Sequence, residues 1–260
     1  MIPALLDWFG RAGTSLFDLA VQRRHRSGRP AAFLAPSTTR AQALAPDQLL
    51  RRLSWLRAEN ANGGDIYFRP ARRLPHRVVF LDDLPQRLAH RIAAKYGSAI
   101  IRTSPNRCHL WLSLAQPADE QARGWIQRDL VDRLDGAADP GSVSGEHWGR
   151  LPGFRNRKPE RDCWVDLIAT TEAEPYHATL PANPPAQIHR ATRNQPASSD
   201  MSRAEWGWVL GSLENGIPPD ILFERLVERA TPRRGRTDAT RYARYTIGKA
   251  CRIKGCLFSA

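Results

Sequence analysis

The residues most able to do chemistry lie in three stretches. In the first, Val78-Val79-Phe80-Leu81-Asp82-Asp83, an apolar strand delivers two adjacent carboxylates at its C-terminal end. Neighbouring strand residues point to opposite faces, but at a fraying strand end both acids can turn toward one divalent cation. Hard oxygen ligands suit Mg2+ or Mn2+. The bland alternative is that Asp83, just before Leu84-Pro85, caps a helix. The second stretch is Thr103-Ser104-Pro105-Asn106-Arg107-Cys108-His109-Leu110-Trp111. If Cys108–Leu114 alternates, His109 and Trp111 share one face, where an imidazole and an indole can meet the phosphates and base of a nucleotide, with Ser104 in the preceding turn. A strand histidine can equally be structural or simply exposed.

The third stretch holds Asp139, a candidate third carboxylate, followed by Arg150, Arg155, Asn156, Arg157 and Lys158 in GRLPGFRNRKP. Arginine and lysine neutralise charge on a triphosphate and asparagine adds a neutral donor, although a basic loop can also be merely solvated. Three acids (Asp82, Asp83, Asp139) serving as catalytic groups and metal ligands suit two-metal nucleotidyl transfer, with His109, Ser104, Arg150, Asn156 and Lys158 around the nucleotide. In-line attack needs positioning and charge neutralisation, and no covalent enzyme intermediate.

The elements that must position these groups can be read from periodicity and turns. A helix over Pro46–Arg57 puts Leu49, Leu53 and Leu56 on one face and is followed by Asn62-Gly63-Gly64. Strands are expected at 65–69, 77–81, 98–103, 108–114 and 163–169, with helices over 85–96 and 118–134. From the second strand onward the order is β-α-β-β-α-β, an α+β, RRM- or ferredoxin-like catalytic core in which two helices cover one sheet face and leave the other free for substrate. The long connection 135–162 is too long for a plain loop, and Trp148, Leu151 and Phe154 can anchor it, which favours a functional loop.

Residues 178–200 hold four prolines and little apolar periodicity, and read as a linker. The expected division is an N-terminal helical extension (1–45), a catalytic domain (46–177), the linker, and a C-terminal all-α domain (201–260). In that domain Ser202 to Glu205 forms a capping box, and Trp206, Val209, Leu210 and Leu213 share a face. A second helix starts near Pro218. A third, over 238–251, lies in a stretch (233–254) with eight basic side chains against the single acid Asp238, so Arg241, Arg244 and Lys249 are candidate DNA contacts or a solvated charged face.

Charge narrows the partners. A net charge of +13, from 39 basic and 26 acidic residues, points to polyanions but does not separate an enzyme from a passive binder. Four scattered cysteines without a CxxC pair indicate neither zinc nor disulfides and fit a reducing cytoplasm. The apolar stretch Ile2–Val21 is interrupted by Asp7, Arg11 and Asp18, so neither a membrane anchor nor secretion is expected.

The succession VVFLDD, TSPNRCHLWL and ADPGSVSGEHWGRLPGFRNRKP resembles the RepB-type primase domain of mobilisable plasmids, a compact relative of the archaeo-eukaryotic primases, over about residues 45–170. The helical tail, with SRAEW and RYARYTIGKA, is similar to that family's C-terminal helical domain. The resemblance implies that Asp82 and Asp83 stand at the first acidic motif, Asp139 at the third catalytic acid, and His109 in the histidine motif. Arg150, Asn156 and Lys158 fall in an RLPGxxNxK-like segment. The adjacent Asp82-Asp83 departs from the DxD spacing common in the wider superfamily. The implied activity is de novo synthesis of short primers from NTP and dNTP on single-stranded DNA at a plasmid origin, with Mg2+ or Mn2+, and with a plasmid helicase and an origin-binding protein as candidate partners. The chief rival is a non-catalytic single-strand-binding module whose sheet stacks bases. A relaxase-like nicking enzyme fits poorly, because His76, His90, His109, His147 and His177 show no HxH pairing.

Overall fold

Period-two apolar residues near the N-terminus build a strand where a helical extension was expected. The structure, a computed structural model, describes residues 1–24, 30–34, 43–72, 74–135, 137–158, 161–180, 198–256 and 258. Helix α1 (Ile2–Arg11) buries Ile2, Leu5, Leu6, Trp8 and Phe9. Past it, Phe17, Leu19 and Val21 alternate into the core from strand β1 (Phe17–Arg24), which pairs with β2 (Pro30–Leu34). Among the described residues of 1–45, the helix present is α1.

Helices α2 (Pro46–Arg51) and α3 (Leu53–Ala61) replace the single expected helix, with the break at Arg52. There follow β3 (Asp65–Pro70), β4 (His76–Pro85), α4 (Gln86–Ala93), β5 (Ser98–Ser104), β6 (Arg107–Ala118) and α5 (Glu120–Arg133). The long connection is not bare loop: it contributes β7 (Gly149–Arg150) and β8 (Arg155–Asn156). The expected closing strand is split into β9 (Cys163–Trp164) and β10 (Asp166–Thr171).

Among the described residues two four-stranded sheets result, ordered β2-β1-β3-β7 and β10-β5-β6-β4, with β8-β9 as a separate ribbon. Within each sheet the paired strands run antiparallel. In the second sheet β4, α4 and β5 flank β6 as a split β-α-β unit. A ferredoxin-like sheet places the last strand beside the first; here β10 lies beside β5 instead. The route of the chain accounts for this. After α5 it pairs with the first sheet at β7, and then Asn156 and Cys163 both bond the Thr103 carbonyl, which returns it at the β5 edge.

Helices cover one face of the second sheet, where Val79, Leu112, Leu114 and Ala118 meet Ile126, Ile92 and Tyr96. The other face is not free for substrate, as the sequence had suggested. Val78, Phe80, Ala99, Ile101 and Trp111 pack there against Phe17, Leu19, Val21, Ile66 and Phe68 and against α1. Trp111, expected to meet a base, is 2% exposed, with its ring 5.3 Å from Phe9, 5.6 Å from Phe68 and 4.6 Å from Phe80. Burying these aromatic faces outweighs what an open sheet would leave to water.

The chain divides into two compact units, residues 1–130 with 142–184 and residues 131–141 with 185–260. The second contains α6 (Ser198–Glu214), α7 (Pro219–Arg234) and α8 (Arg236–Lys254) around Val209, Leu222, Leu226, Ala243, Ile247 and Ala250. Helix α6 begins four residues before Ser202, so the expected capping box lies within it. Most of the expected linker, 181–197, lies outside the described residues. No helix among the described residues is long and apolar enough to cross a membrane.

At the start of β4, His76 is 7% exposed, and burial, with the nearby Arg123 charge, pushes its pKa down to about 3 from 6.5. The native state therefore refuses a proton that the unfolded chain accepts, and stability present above pH 6.5 is lost as pH falls toward 3. Urea titrations at pH 6.5 and pH 5 should show a loss of about 2 kcal/mol attributable to this residue. A His76→Phe variant should lack that portion of the pH dependence.

Candidate active site

The site is built on an irregularity in β4. Leu81 pairs with Leu110 and Leu84 with Cys108, so two residues, Asp82 and Asp83, oppose the single residue His109. This is a β-bulge, and Asp83 takes its left-handed backbone at φ 55°. A non-glycine residue there is uncommon and costs conformational energy, and such positions cluster at functional sites. The bulge also explains why the two acids have different surroundings. Asp82 stays on the Phe80 face, toward His109, whereas Asp83 is 6% exposed and its carboxylate lies 3.4 Å from the Arg161 guanidinium. Arg107 donates to the Asp83 carbonyl at 2.9 Å.

His109 is fixed from both ends. Its Nδ1 accepts the Arg150 backbone N–H at 3.1 Å, and its Nε2 lies 3.0 Å from Asp82 Oδ1. With Nδ1 accepting, the neutral ring carries its proton on Nε2 and donates it to Asp82. The ring meets Phe80 edge-on, with centroids 4.9 Å apart. His147, which the sequence reading had not singled out, stacks on Phe80 and brings Nε2 to 3.8 Å from Asp82 Oδ2.

Electrostatics follow from this arrangement. Burial favours the protonated Asp82 carboxyl, but His109, His147 and the Asp83 N–H, which donates at 2.7 Å, outweigh burial and hold the group well below the usual carboxylate range. Burial lowers the His147 pKa against the pull of Asp82, so that ring is neutral near pH 7. Asp82 and His147 keep 24% and 34% side-chain exposure against 6% for His109, so they form the accessible rim.

The supporting contacts come from distant parts of the chain. Arg150 was expected at a nucleotide; its guanidinium is instead buried in an ion pair with Asp65, over the Tyr67 ring at 4.8 Å. Its contribution to the site is the backbone N–H offered to His109. Asp65, fully buried, also accepts the Arg157 N–H at 2.7 Å. Gln127 spans the two walls of the site, donating to Phe80 O at 2.8 Å and accepting the Gly145 N–H at 2.7 Å. Arg69 holds the Glu146 carbonyl at 2.8 Å and lies over Trp148 at 4.1 Å.

Other expected residues are placed as follows. Ser104 is buried at the end of β5, opposite Arg107. Asn156, 1% exposed, has both ends of its amide on backbone, donating to Thr103 O at 2.7 Å and accepting the Lys158 N–H at 3.1 Å; its geometry is that of a clamp. Lys158 is exposed, and its charge lowers the His147 pKa. Asp139 belongs to the second unit, where it accepts the Gly141 N–H at 2.8 Å. Among the described residues no group of three or more histidine, cysteine, aspartate or glutamate side chains could hold a metal ion. Arg241, expected on DNA, forms ion pairs with Asp132 and with Asp238 at 3.1 Å. Arg244 is exposed, and Lys249 lies 3.4 Å from the Tyr245 hydroxyl.

A family model described as the RepB DNA-primase N-terminal domain matches residues 20–180, and the chain belongs to that family. Mobilization protein A of Escherichia coli is 37% identical over 167 residues, which cover 61% of this chain and 23% of that protein; the match thus spans about a quarter of the relative's length. The crystal structure of the catalytic domain of primase RepB' in complex with initiator DNA is 30% identical, with TM-score 0.56, over 67% of this chain and 85% of that one. A crystal structure of primase RepB' at 23% identity and TM-score 0.56, over 96% and 94% of the two chains, shares the fold.

Close approach of β7 fixes the tautomer of His109. A Cβ on Gly149 would lie 2.8 Å from Trp111 and 3.2 Å from Phe80, so only glycine lets Arg150 N–H reach the imidazole. Gly149→Ala should displace β7 and cost about 1–3 kcal/mol of stability. Nitrogen-15 spectra of the imidazoles should show His109 as the single Nε2–H tautomer in the parent and as a mixture in the variant.

Proposed function

We propose that this chain synthesises short primers on single-stranded DNA at a plasmid replication origin, by divalent-metal-dependent nucleotidyl transfer. One observation carries the reading: in a chain of the primase family, an ionised, partly open carboxylate at Asp82 faces an imidazole, His109, whose donor nitrogen is fixed toward it. The plasmid context is supported by the mobilization-protein and RepB' relatives.

The donor chemistry fits Mg2+ or Mn2+. Asp82 offers hard oxygens with low proton affinity, and Asp83 is its chain neighbour across the bulge. Mg2+ is commonly held by one or two carboxylates together with substrate phosphates and water, so a complete protein cage is not needed. Bound there, divalent cations would supply Lewis-acid activation of the attacking 3′-hydroxyl and neutralise charge on the triphosphate.

The remaining work falls to the protein's own groups. Asp82 would hold the cation, joined by Asp83 once its carboxylate leaves Arg161. His109 then has its Nε2–H available for a phosphate oxygen, already oriented by Arg150 N–H, so no reorganisation is needed at the moment of reaction. Arg161 and Lys158 add positive charge for the triphosphate.

Incubation of the protein with unprimed single-stranded DNA, labelled nucleotides and Mg2+ or Mn2+ tests the reading. The parent should make short products that chelation by EDTA abolishes. Asp82→Asn should lower incorporation about a hundredfold or more in a protein that remains folded. Strand binding without products from the parent protein would make the chain a binding module instead.

A further inference from the structure

The β8-β9 ribbon carries a feature that the site does not use. Trp164 is 56% exposed, the most exposed aromatic side chain among those described, while its neighbour Val165 is 1% exposed in the core. Strand alternation makes this outward placement obligatory, since anchoring Val165 inward turns Trp164 to water. No ring contact or cation–π contact covers the indole among the described residues.

Hydrogen bonds tie the platform to its surroundings. Val165 N–H donates to Phe154 O at 2.9 Å, Gly153 N–H donates to Val165 O at 2.8 Å, and Asn156 ties the ribbon to Thr103. Its surroundings are cationic. Arg155 is the cross-strand partner of Trp164, Arg102 pairs with Asp166 just beyond it, and Arg157, Lys158 and Arg161 stand at the ribbon's ends, against the acids Asp162 and Asp166. The pairs Arg155–Asp162 and Arg102–Asp166 are solvent-exposed, and such pairs contribute little, so a phosphate can displace the carboxylates. Arg161, three residues before Trp164, reaches Asp83, which sets the indole within about 10 Å of chain from the candidate site.

We propose that Trp164 is a stacking platform for a base of the single-stranded DNA template, with Arg102 and Arg155 holding the flanking phosphates. An uncovered indole beside arginines is the combination by which proteins hold a single strand with little sequence preference. The inference rests on the primase reading only for calling that strand the template.

Fluorescence anisotropy of a labelled oligo(dT) strand with the full chain tests it, alongside primer synthesis across a template series. Trp164→Ala should weaken strand binding about tenfold, Trp164→Phe should keep it within about threefold, and Arg102→Ala with Arg155→Ala should lower the salt dependence of binding. In the synthesis assay Trp164→Ala should raise the KM for template and leave kcat unchanged. A folded Trp164→Ala protein that binds oligo(dT) like the parent overturns the platform, as does equal weakening by the alanine and phenylalanine variants. If the parent binds but makes no product, the primase reading fails while the binding result still decides the platform.

Discussion

The hydrogen bond from the Arg150 backbone to His109 is the constraint on which the candidate site depends. It decides which imidazole nitrogen carries the proton, and therefore that His109 presents a donor to Asp82. The bond exists only because β7 joins the first sheet beside β3 and lies against Trp111 without a side chain at Gly149. The bulge then does the complementary job on the other wall, opposing one histidine with two acids and giving each acid a different environment.

Behind this pair stands a polar frame that would be costly if incomplete. A buried ion pair such as Arg150–Asp65 must recover the desolvation of both charges through close, fully bonded geometry. Here Asp65 also takes the Arg157 N–H, and the guanidinium lies over Tyr67, so each buried group has several partners. Gln127 links the backbone of β4 to the turn before His147, which ties the positions of Asp82 and His147 to one amide. The aromatic core between the sheets supports the frame from below, because Phe80 touches His109, His147 and Trp111 at once.

Much of this was legible in the sequence where the signal is local. The apolar run into Asp82-Asp83 and the hairpin around Asn106 follow from period, turn residues and residue type. Helices α4 and α5 and the C-terminal helices were likewise written in apolar spacing. What was not legible depends on partners far apart in the chain. Arg150 and Asp65 are 85 residues apart, and nothing in GRLPG says that the guanidinium turns inward. β7 is two residues long, too short to carry a period, and the sheet that covers Trp111 is assembled from β1 and β3, whose pairing partners no single window contains. His147 had only its place three residues before Arg150 to mark it.

The account's central claim is that Asp82 is the cation-holding carboxylate facing His109. Titrating Mn2+ into the full chain with a non-hydrolysable nucleotide, and following paramagnetic broadening of the imidazole signals, tests it most directly. Selective broadening of His109 and His147 in the parent, abolished by Asp82→Asn, is the predicted result. Broadening that survives in Asp82→Asn, or that falls on His76 and His90 and spares His109, would contradict it.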